Sequence, residues 1–167
     1  MRIRPTTLDD IEAIVSVHVA AWNWAHTGIV PDEIMAEIAS PGRVQKIREQ
    51  WDPRRAYLVA EDSSENVVGF SRENLPVGIE GFDCEIGSLY VHPDFARQGI
   101  GRELVRSMAQ VLSSGGNRSL CLQTLRDNRI GTSFYESIGG QRVSTGAWCG
   151  LPSVWFGWRD LSSLVNA

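Results

Sequence analysis

The chain has 167 residues, 43% of them hydrophobic, and a net charge of −4, which together predict a single globular domain over residues 1–167. An acidic balance argues against non-specific nucleic-acid binding, which requires a basic surface. Acidic residues interrupt the apolar N-terminal stretch, so neither a signal peptide nor a membrane span is predicted and we expect a cytoplasmic protein. The three cysteines have no metal-binding spacing, and no metal site is predicted.

The N-terminal half is predicted to contain one strand and three helices before a run of strands. A strand over Ile3–Pro5 precedes a helix capped by Thr7, whose apolar face includes Leu8. Two short helices are expected, one from about Pro31 and one after the Pro-Gly break at 41–42. The segments AYLVAED and VVGFSREN, separated by the polar turn SSEN, predict an antiparallel hairpin, and CEIGSLYV predicts the next strand.

The C-terminal half alternates strands and helices. A helix with apolar Leu104, Met108 and Val111 ends at a Gly-Gly pair, the strand SLCLQTL follows, and a helix over 128–138 precedes the strands QRVSTGAW and SVWFGW. The unit over 84–125 predicts a right-handed crossover between parallel strands. The whole pattern predicts an α+β fold, an α/β/α sandwich with a central, mixed but mostly antiparallel twisted sheet of about seven strands.

A glycine loop, YVHPDFARQGIGREL at 90–104, follows the central strand of this crossover. It lacks the third glycine of a dinucleotide fingerprint, because position 104 is leucine, and it lacks the Gly-Lys-Ser/Thr of a Walker loop. Gly99 and Gly101 still permit a turn whose backbone N–H groups and helix N-terminus would hold a pyrophosphate, with Arg97 and Arg102 at the rim. A turn that merely starts a helix is the alternative.

Two segments resemble the GNAT superfamily of N-acetyltransferases. SLYVHPDFARQGIGREL resembles its acyl-CoA-binding motif of a strand, a Val-X-Pro turn, a Gln/Arg-X-X-Gly-X-Gly loop and a helix, although the first Gln/Arg position is Ala96 here. DNRIGTSFYESIGGQRV resembles the later motif with an aromatic-Tyr-Glu run. The resemblance extends over most of the chain, from IRPTTLDDIEAI to WFGWRDL. It implies a GNAT-like acyl-CoA N-acyltransferase fold.

The resemblance implies acetyl-CoA as the co-substrate. The backbone amides of Leu89 and Val91 would pair with the pantetheine arm as an added strand, the loop would wrap the pyrophosphate, and Asn128 would contact the arm from the other side. The predicted cofactor-binding residues are Leu89, Tyr90, Val91, Arg97, Gln98, Gly99, Ile100, Gly101, Arg102 and Asn128.

Acetyl transfer to an amine requires a deprotonated nucleophile and a proton for the leaving thiolate. By resemblance, Glu85 is the expected general base and Tyr135 the general acid, with a backbone N–H near Leu89 as the oxyanion donor. The period of a strand puts Glu85 and Leu89 on one face, provided that no bulge intervenes. A glutamate paired with an arginine or facing solvent, and a tyrosine that only packs in the core, remain the alternatives.

The acceptor site is predicted from aromatic residues. Trp22 and Trp155 are assigned to the core, whereas Trp24, His26 and Trp148 stand in loop-like or strand-end contexts and could bind a cation or an aromatic amine. The resulting hypothesis is an N-acetyltransferase that acts on a primary amine of a small molecule, peptide or protein. A non-catalytic acyl-CoA-binding or regulatory module is the alternative, and a homodimer is possible because homodimers are frequent in this family.

Overall fold

The computed structural model describes residues 1–75 and 77–165, which form one seven-stranded sheet in the order β1-β2-β3-β4-β5-β7-β6. The strands are β1 (Arg2–Pro5), β2 (Tyr57–Glu61), β3 (Val67–Asn74), β4 (Cys84–Val91), β5 (Leu120–Leu125), β6 (Gln141–Trp148) and β7 (Leu151–Trp158). The helices are α1 (Ile11–His26), α2 (Asp32–Ile38), α3 (Arg43–Glu49), α4 (Ile100–Ser114), α5 (Arg129–Ser137) and α6 (Ser162–Val165).

The predicted fold class and the crossover are confirmed. Strands β4 and β5 pair in parallel, and every other neighbouring pair in the sheet is antiparallel. Helix α4 connects the two parallel strands, as a crossover requires. No helix in the described ranges combines the length and the apolar character needed to cross a bilayer.

Hydrophobic packing holds helices against both faces of the sheet. On one face, Leu104 and Met108 of α4 are fully buried in the cluster that includes Ile86 of β4. On the other face, Ile11 and Ile14 of α1 are fully buried in a cluster with Phe70 of β3. Strand β4 therefore lies between two packed layers, and each of its faces points to a different part of the molecule.

Three details of the predicted helices are wrong. Leu8 lies in a short 3₁₀ turn before α1 and is 45% exposed, because that turn does not keep the phase of the following α-helix. Val111 is exposed because Ala109 and Leu112 carry the buried stripe in the last turns of α4. Trp24 and His26 are not in a loop, since α1 continues to His26 and ends before Gly28, whose φ is +79°.

Candidate active site

A cleft of about 1040 Å³ opens where β4 and β5 separate. The parallel pairing stops after Glu85 opposite Cys121, and beyond this point the two strands diverge. The cleft reaches from the glycine loop to α1, and every predicted site residue except Gln98 lines it. The Gln98 side chain instead donates a weak hydrogen bond to the Asp94 carbonyl oxygen, at 3.5 Å.

The free edge of β4 offers backbone groups to this cleft. His92 N–H donates to the Val68 carbonyl oxygen at 2.8 Å, so by the two-residue period Tyr90 also directs its backbone groups to β3. The N–H and C=O groups of Leu89 and Val91 therefore point away from β3, toward the gap left by β5. An extended ligand with amide groups could pair with this edge as an additional strand.

The glycine loop turns sharply into α4. Arg97 and Gly99 both have left-handed backbone, with φ of 64° and 84°, and Gly99 is the N-cap of the helix. The first backbone N–H groups of α4, from Ile100 to Arg102, have no partner within the helix and face the end where its dipole is positive. A Cβ on Gly101 would lie 3.3 Å from Phe134, so a larger residue would press against α5. The loop thus fits a phosphate group.

Glu85 and Leu89 do not share a face of β4, contrary to the prediction. The register with β3 shifts by one residue, because Arg72 pairs with Ser88 while Glu73 pairs with Ile86, which leaves Gly87 as a β-bulge. A side chain at Gly87 would place its Cβ 2.5 Å from the Cβ of Asn74, so the bulge requires glycine. After the bulge, successive side chains alternate in the opposite sense, so Leu89 lies on the face opposite to Glu85.

Glu85 is buried in the cleft and held by two donors. The Asn74 side-chain amide donates to Oε1 at 3.0 Å, and the backbone N–H of Gly78 donates to Oε2 at 2.7 Å. Gly78 reaches this position because it has no side chain, since a Cβ there would lie 2.4 Å from the Trp155 ring. Each carboxylate oxygen keeps a further lone pair for a substrate or water. Sequence reasoning missed Asn74 and Gly78, which orient this carboxylate.

Tyr135 lines the cleft from α5. The residue is buried, and its ring centroid lies 5.5 Å from that of Phe156 and 5.4 Å from that of Phe134. Burial raises the pKa of the Tyr135 phenol above its usual value, so the hydroxyl stays protonated at neutral pH. Tyr135 therefore belongs to the core and to the cleft at the same time.

His26 and Asn128 form a linked pair at the other wall. His26 Nδ1 lies 3.1 Å from the Trp22 carbonyl oxygen and donates to it, so Nε2 is the acceptor for the Asn128 amide at 3.4 Å. The Asn128 Oδ1 accepts from the Gly131 N–H at 3.0 Å and caps α5. Burial lowers the pKa of His26, and the ring is neutral. His26 therefore links the end of α1 to the N-cap of α5.

The predicted acceptor residues Trp24 and Trp148 both line the cleft, but in different settings. Trp24 is 46% exposed on α1, whereas Trp148 ends β6 and packs 5.3 Å from the Trp22 ring. Tyr90, predicted among the cofactor-binding residues, places its ring on the α1 side, 4.5 Å from the His18 ring. The Tyr90 and Trp148 rings both pack against the Trp22 ring on the α1 side of the cleft.

Two arginines that sequence reasoning missed also line this side. Arg43 begins α3 and Arg72 lies on β3, and within the described residues neither guanidinium has a hydrogen-bond or salt-bridge partner. Of the residues described, five arginines and one carboxylate, Glu85, line the cleft. No sequence motif marks Arg43 or Arg72, because they become neighbours only in the folded chain.

Comparison with known proteins agrees with this geometry. Residues 20–140 match the model of the acetyltransferase (GNAT) family. The chain is 29% identical to an uncharacterized N-acetyltransferase, YuaI, of Bacillus subtilis (strain 168), over 97% of this chain and 95% of that protein. It is 26% identical to a spermidine N(1)-acetyltransferase of Thermoplasma acidophilum, over 83% and 87% of the two chains.

Solved structures share the fold at lower identity. The crystal structure of the PaiA N-acetyltransferase from Thermoplasma acidophilum in complex with coenzyme A matches with a TM-score of 0.76, at 20% identity, over 95% of this chain and 98% of that one. An aminoglycoside 6'-N-acetyltransferase complexed with coenzyme A matches with a TM-score of 0.71, at 17% identity, over 95% and 96%. The predicted family and activity are confirmed. The chain belongs to the GNAT family of acetyltransferases and is an N-acetyltransferase with acetyl-CoA as its co-substrate.

Proposed function

We propose that this enzyme acetylates a primary amine of a small molecule or peptide by direct attack, with Glu85 as general base and Tyr135 as general acid. The observation that carries the proposal is that both side chains line one cleft, beside the free backbone edge of Leu89 and Val91. Acetyl-CoA would supply an acetyl group activated as a thioester. The remaining chemistry belongs to residues of this chain.

The base must remove a proton from the amine. A primary amine with a pKa of ~10.4 is protonated at pH 7, and deprotonating it costs roughly 4 to 5 kcal/mol. Glu85 faces the acceptor side of β4, and its two donors, Asn74 and Gly78, fix its orientation. The carboxylate can accept the proton directly or through one water.

The acid must protonate the leaving sulfur. The Tyr135 hydroxyl keeps its proton at neutral pH because burial raises its pKa. Burial also makes a thiolate more basic than in water, so transfer of the proton from Oη to sulfur is favoured as the carbon–sulfur bond breaks. The open N–H of Leu89 is our candidate for the donor to the carbonyl oxygen, since it points into the same gap.

Release of free thiol from acetyl-CoA, measured over a panel of amines, tests this proposal. We expect release that depends on the amine and yields the N-acetyl product. A protein that binds acetyl-CoA by calorimetry but releases no thiol with any amine would instead fit a non-catalytic acyl-CoA-binding module and contradict the proposal. The variant Tyr135→Phe should bind acetyl-CoA as the wild type does while turnover falls.

A further inference from the structure

Two cations without partners lie at the acceptor end of the cleft. Arg43 and Arg72 are half-buried, and both also line a small adjoining cavity of about 40 Å³. The Nε of Arg43 is fully buried and has no hydrogen-bond partner within the described residues. A buried polar group without a partner destabilises the folded protein, and a charged group does so more strongly. A ligand that accepts a hydrogen bond from this group would remove that cost.

The protein groups around these arginines do not neutralise them. His18 lies beside both, and its burial, together with the charges of Arg43 and Arg72, lowers its pKa to about 3, so its ring is neutral. Burial raises the pKa of the nearby Tyr57 to about 12, and its phenol is neutral too. Among the residues that the structure describes, Glu85 is the single carboxylate that lines the cleft, and it already accepts two hydrogen bonds.

These arginines are also separate from the loop that fits the pyrophosphate. Arg72 shares a face of β3 with Phe70, which packs against α1, whereas Arg97 and Arg102 flank the N-terminus of α4 on the other face of the sheet. An anion bound by Arg43 and Arg72 would therefore lie on the acceptor side. It would belong to the amine substrate rather than to acetyl-CoA.

We infer that the acceptor is a small amine that carries a carboxylate, as an amino acid does, with the carboxylate bound by Arg43 and Arg72. This inference rests on the proposed function, because it takes Glu85 as the group that receives the amine proton. Arg72 and Asn74, the residue that holds Glu85, are two positions apart on β3, or about 7 Å along the strand. One small molecule can therefore place its carboxylate at Arg72 and its amine at Glu85.

The arrangement discriminates by charge. A guanidinium presents paired N–H donors that match the two oxygens of a carboxylate, which makes the contact directional as well as attractive. A polyamine would bring further positive charge against two arginines and would be repelled. We therefore expect amino acids to be preferred over their decarboxylated counterparts and over spermidine.

The experiment is thiol release with the twenty standard amino acids, their decarboxylated amines and spermidine as acceptors. For the best amino acid, kcat/KM should exceed that of its decarboxylated amine by about tenfold or more, and Arg72→Gln or Arg43→Gln should remove that preference. The readout is the ratio of kcat/KM for the amino acid to kcat/KM for its decarboxylated amine, measured for the wild type and for each variant. Arg48→Gln, on the same helix as Arg43 and 3.8 Å from Glu12, is the matched control and should behave as the wild type.

The outcomes separate this inference from the proposed function. If decarboxylated amines or spermidine are acetylated as well as the amino acids, or better, the inference is wrong while the proposed function stands. If no amine in the panel supports thiol release, both fail. A structural role for Arg43 would lower the thermal midpoint of Arg43→Gln by more than about 3 °C, whereas we expect an unchanged or higher midpoint because no hydrogen bond or ion pair within the described part of the chain is lost.

Discussion

The two sides of β4 present different kinds of binding surface. The side toward α4 offers mainly backbone groups, namely the free edge at Leu89 and Val91 and the N–H groups around Gly99. The side toward α1 offers side chains, among them Glu85, Arg72 and His26, drawn from separate elements. Backbone groups can bind a ligand whatever the side chains are, whereas side chains can change without disturbing the fold. Substrate choice should therefore depend on the α1 side.

Tyr135→Phe should have the largest effect, because the proposed role of Tyr135 is to protonate the thiolate that leaves when the acetyl group is transferred. We expect kcat to fall about 100- to 1000-fold, since the general acid is lost, and the Kd of acetyl-CoA to stay within about threefold. Steady-state thiol release and calorimetry measure the two quantities. A kcat within about twofold of the wild type would show that Tyr135 only packs against Phe156.

Glu85→Gln should impair the reaction with the amine and leave the binding of acetyl-CoA unchanged. At neutral pH we expect kcat/KM for the amine to fall about 100-fold, because the variant cannot accept the amine proton. The rate should then rise about tenfold per pH unit toward the amine pKa of ~10.4, since solvent must deprotonate the substrate. A pH profile parallel to that of the wild type would contradict the assignment of Glu85 as base.

Arg4 provides the contrast to the unpaired arginines of the cleft. Its guanidinium donates to both Asp10 oxygens and to Glu61, each at 2.7 Å, and this pairing lowers the pKa of Asp10 to about 2. Arg4→Gln should lower the free energy of unfolding by about 2 kcal/mol, because two buried carboxylates lose their partner. Denaturant unfolding measures this loss, and Arg43→Gln should show none.

The pH dependence of the Arg4 network has a defined sign. Asp10 has a lower pKa in the folded chain, about 2, than its ordinary value of 3.8, so its pairing contributes fully above about pH 4 and is lost as the pH falls toward 2. Asp10→Asn should remove this part of the acid sensitivity of unfolding. If the free energy of unfolding of Asp10→Asn falls at acid pH as it does in the wild type, Asp10 is not the group responsible.

Gly99→Val should have the smallest effect and should act on the cofactor side. We expect the Kd of acetyl-CoA to rise about tenfold, because a β-branched residue strains the left-handed conformation that shapes the loop. Gly116→Val is the matched control, since Gly116 has a φ of 91° at the opposite end of α4. The Gly116→Val variant should lose a similar free energy of unfolding, and its Kd for acetyl-CoA should be unchanged. Equal effects of the two variants on the Kd would contradict a phosphate-binding loop.

The sequence predicted the strand, turn and helix around the glycine loop because their signals are local. Consecutive residues from β4 through Gly99 to α4 set the strand, the turn and the helix, so their pattern is readable without the rest of the chain. The arginines on the α1 side could not be predicted, because they come from distant segments. Arg43 and Arg72 are 29 positions apart in sequence and meet only when α3 packs beside β3.

Single glycines account for the other differences. Gly87 within a strand is a signal for a bulge, and that bulge reverses the side to which residues after Ile86 point. Gly78 lies between β3 and β4 against the Trp155 ring, and its N–H donates to Glu85. In both cases the reason for glycine is a close approach of another residue, which sequence spacing does not reveal.

The separation of the two sides is tested most directly by calorimetric titration of acetyl-CoA into the wild type, Glu85→Gln and Gly99→Val. We expect the wild type and Glu85→Gln to bind with Kd values within about threefold of each other, and Gly99→Val to bind about tenfold more weakly. Weaker binding by Glu85→Gln together with wild-type affinity in Gly99→Val would contradict the assignment of acetyl-CoA to the α4 side of β4.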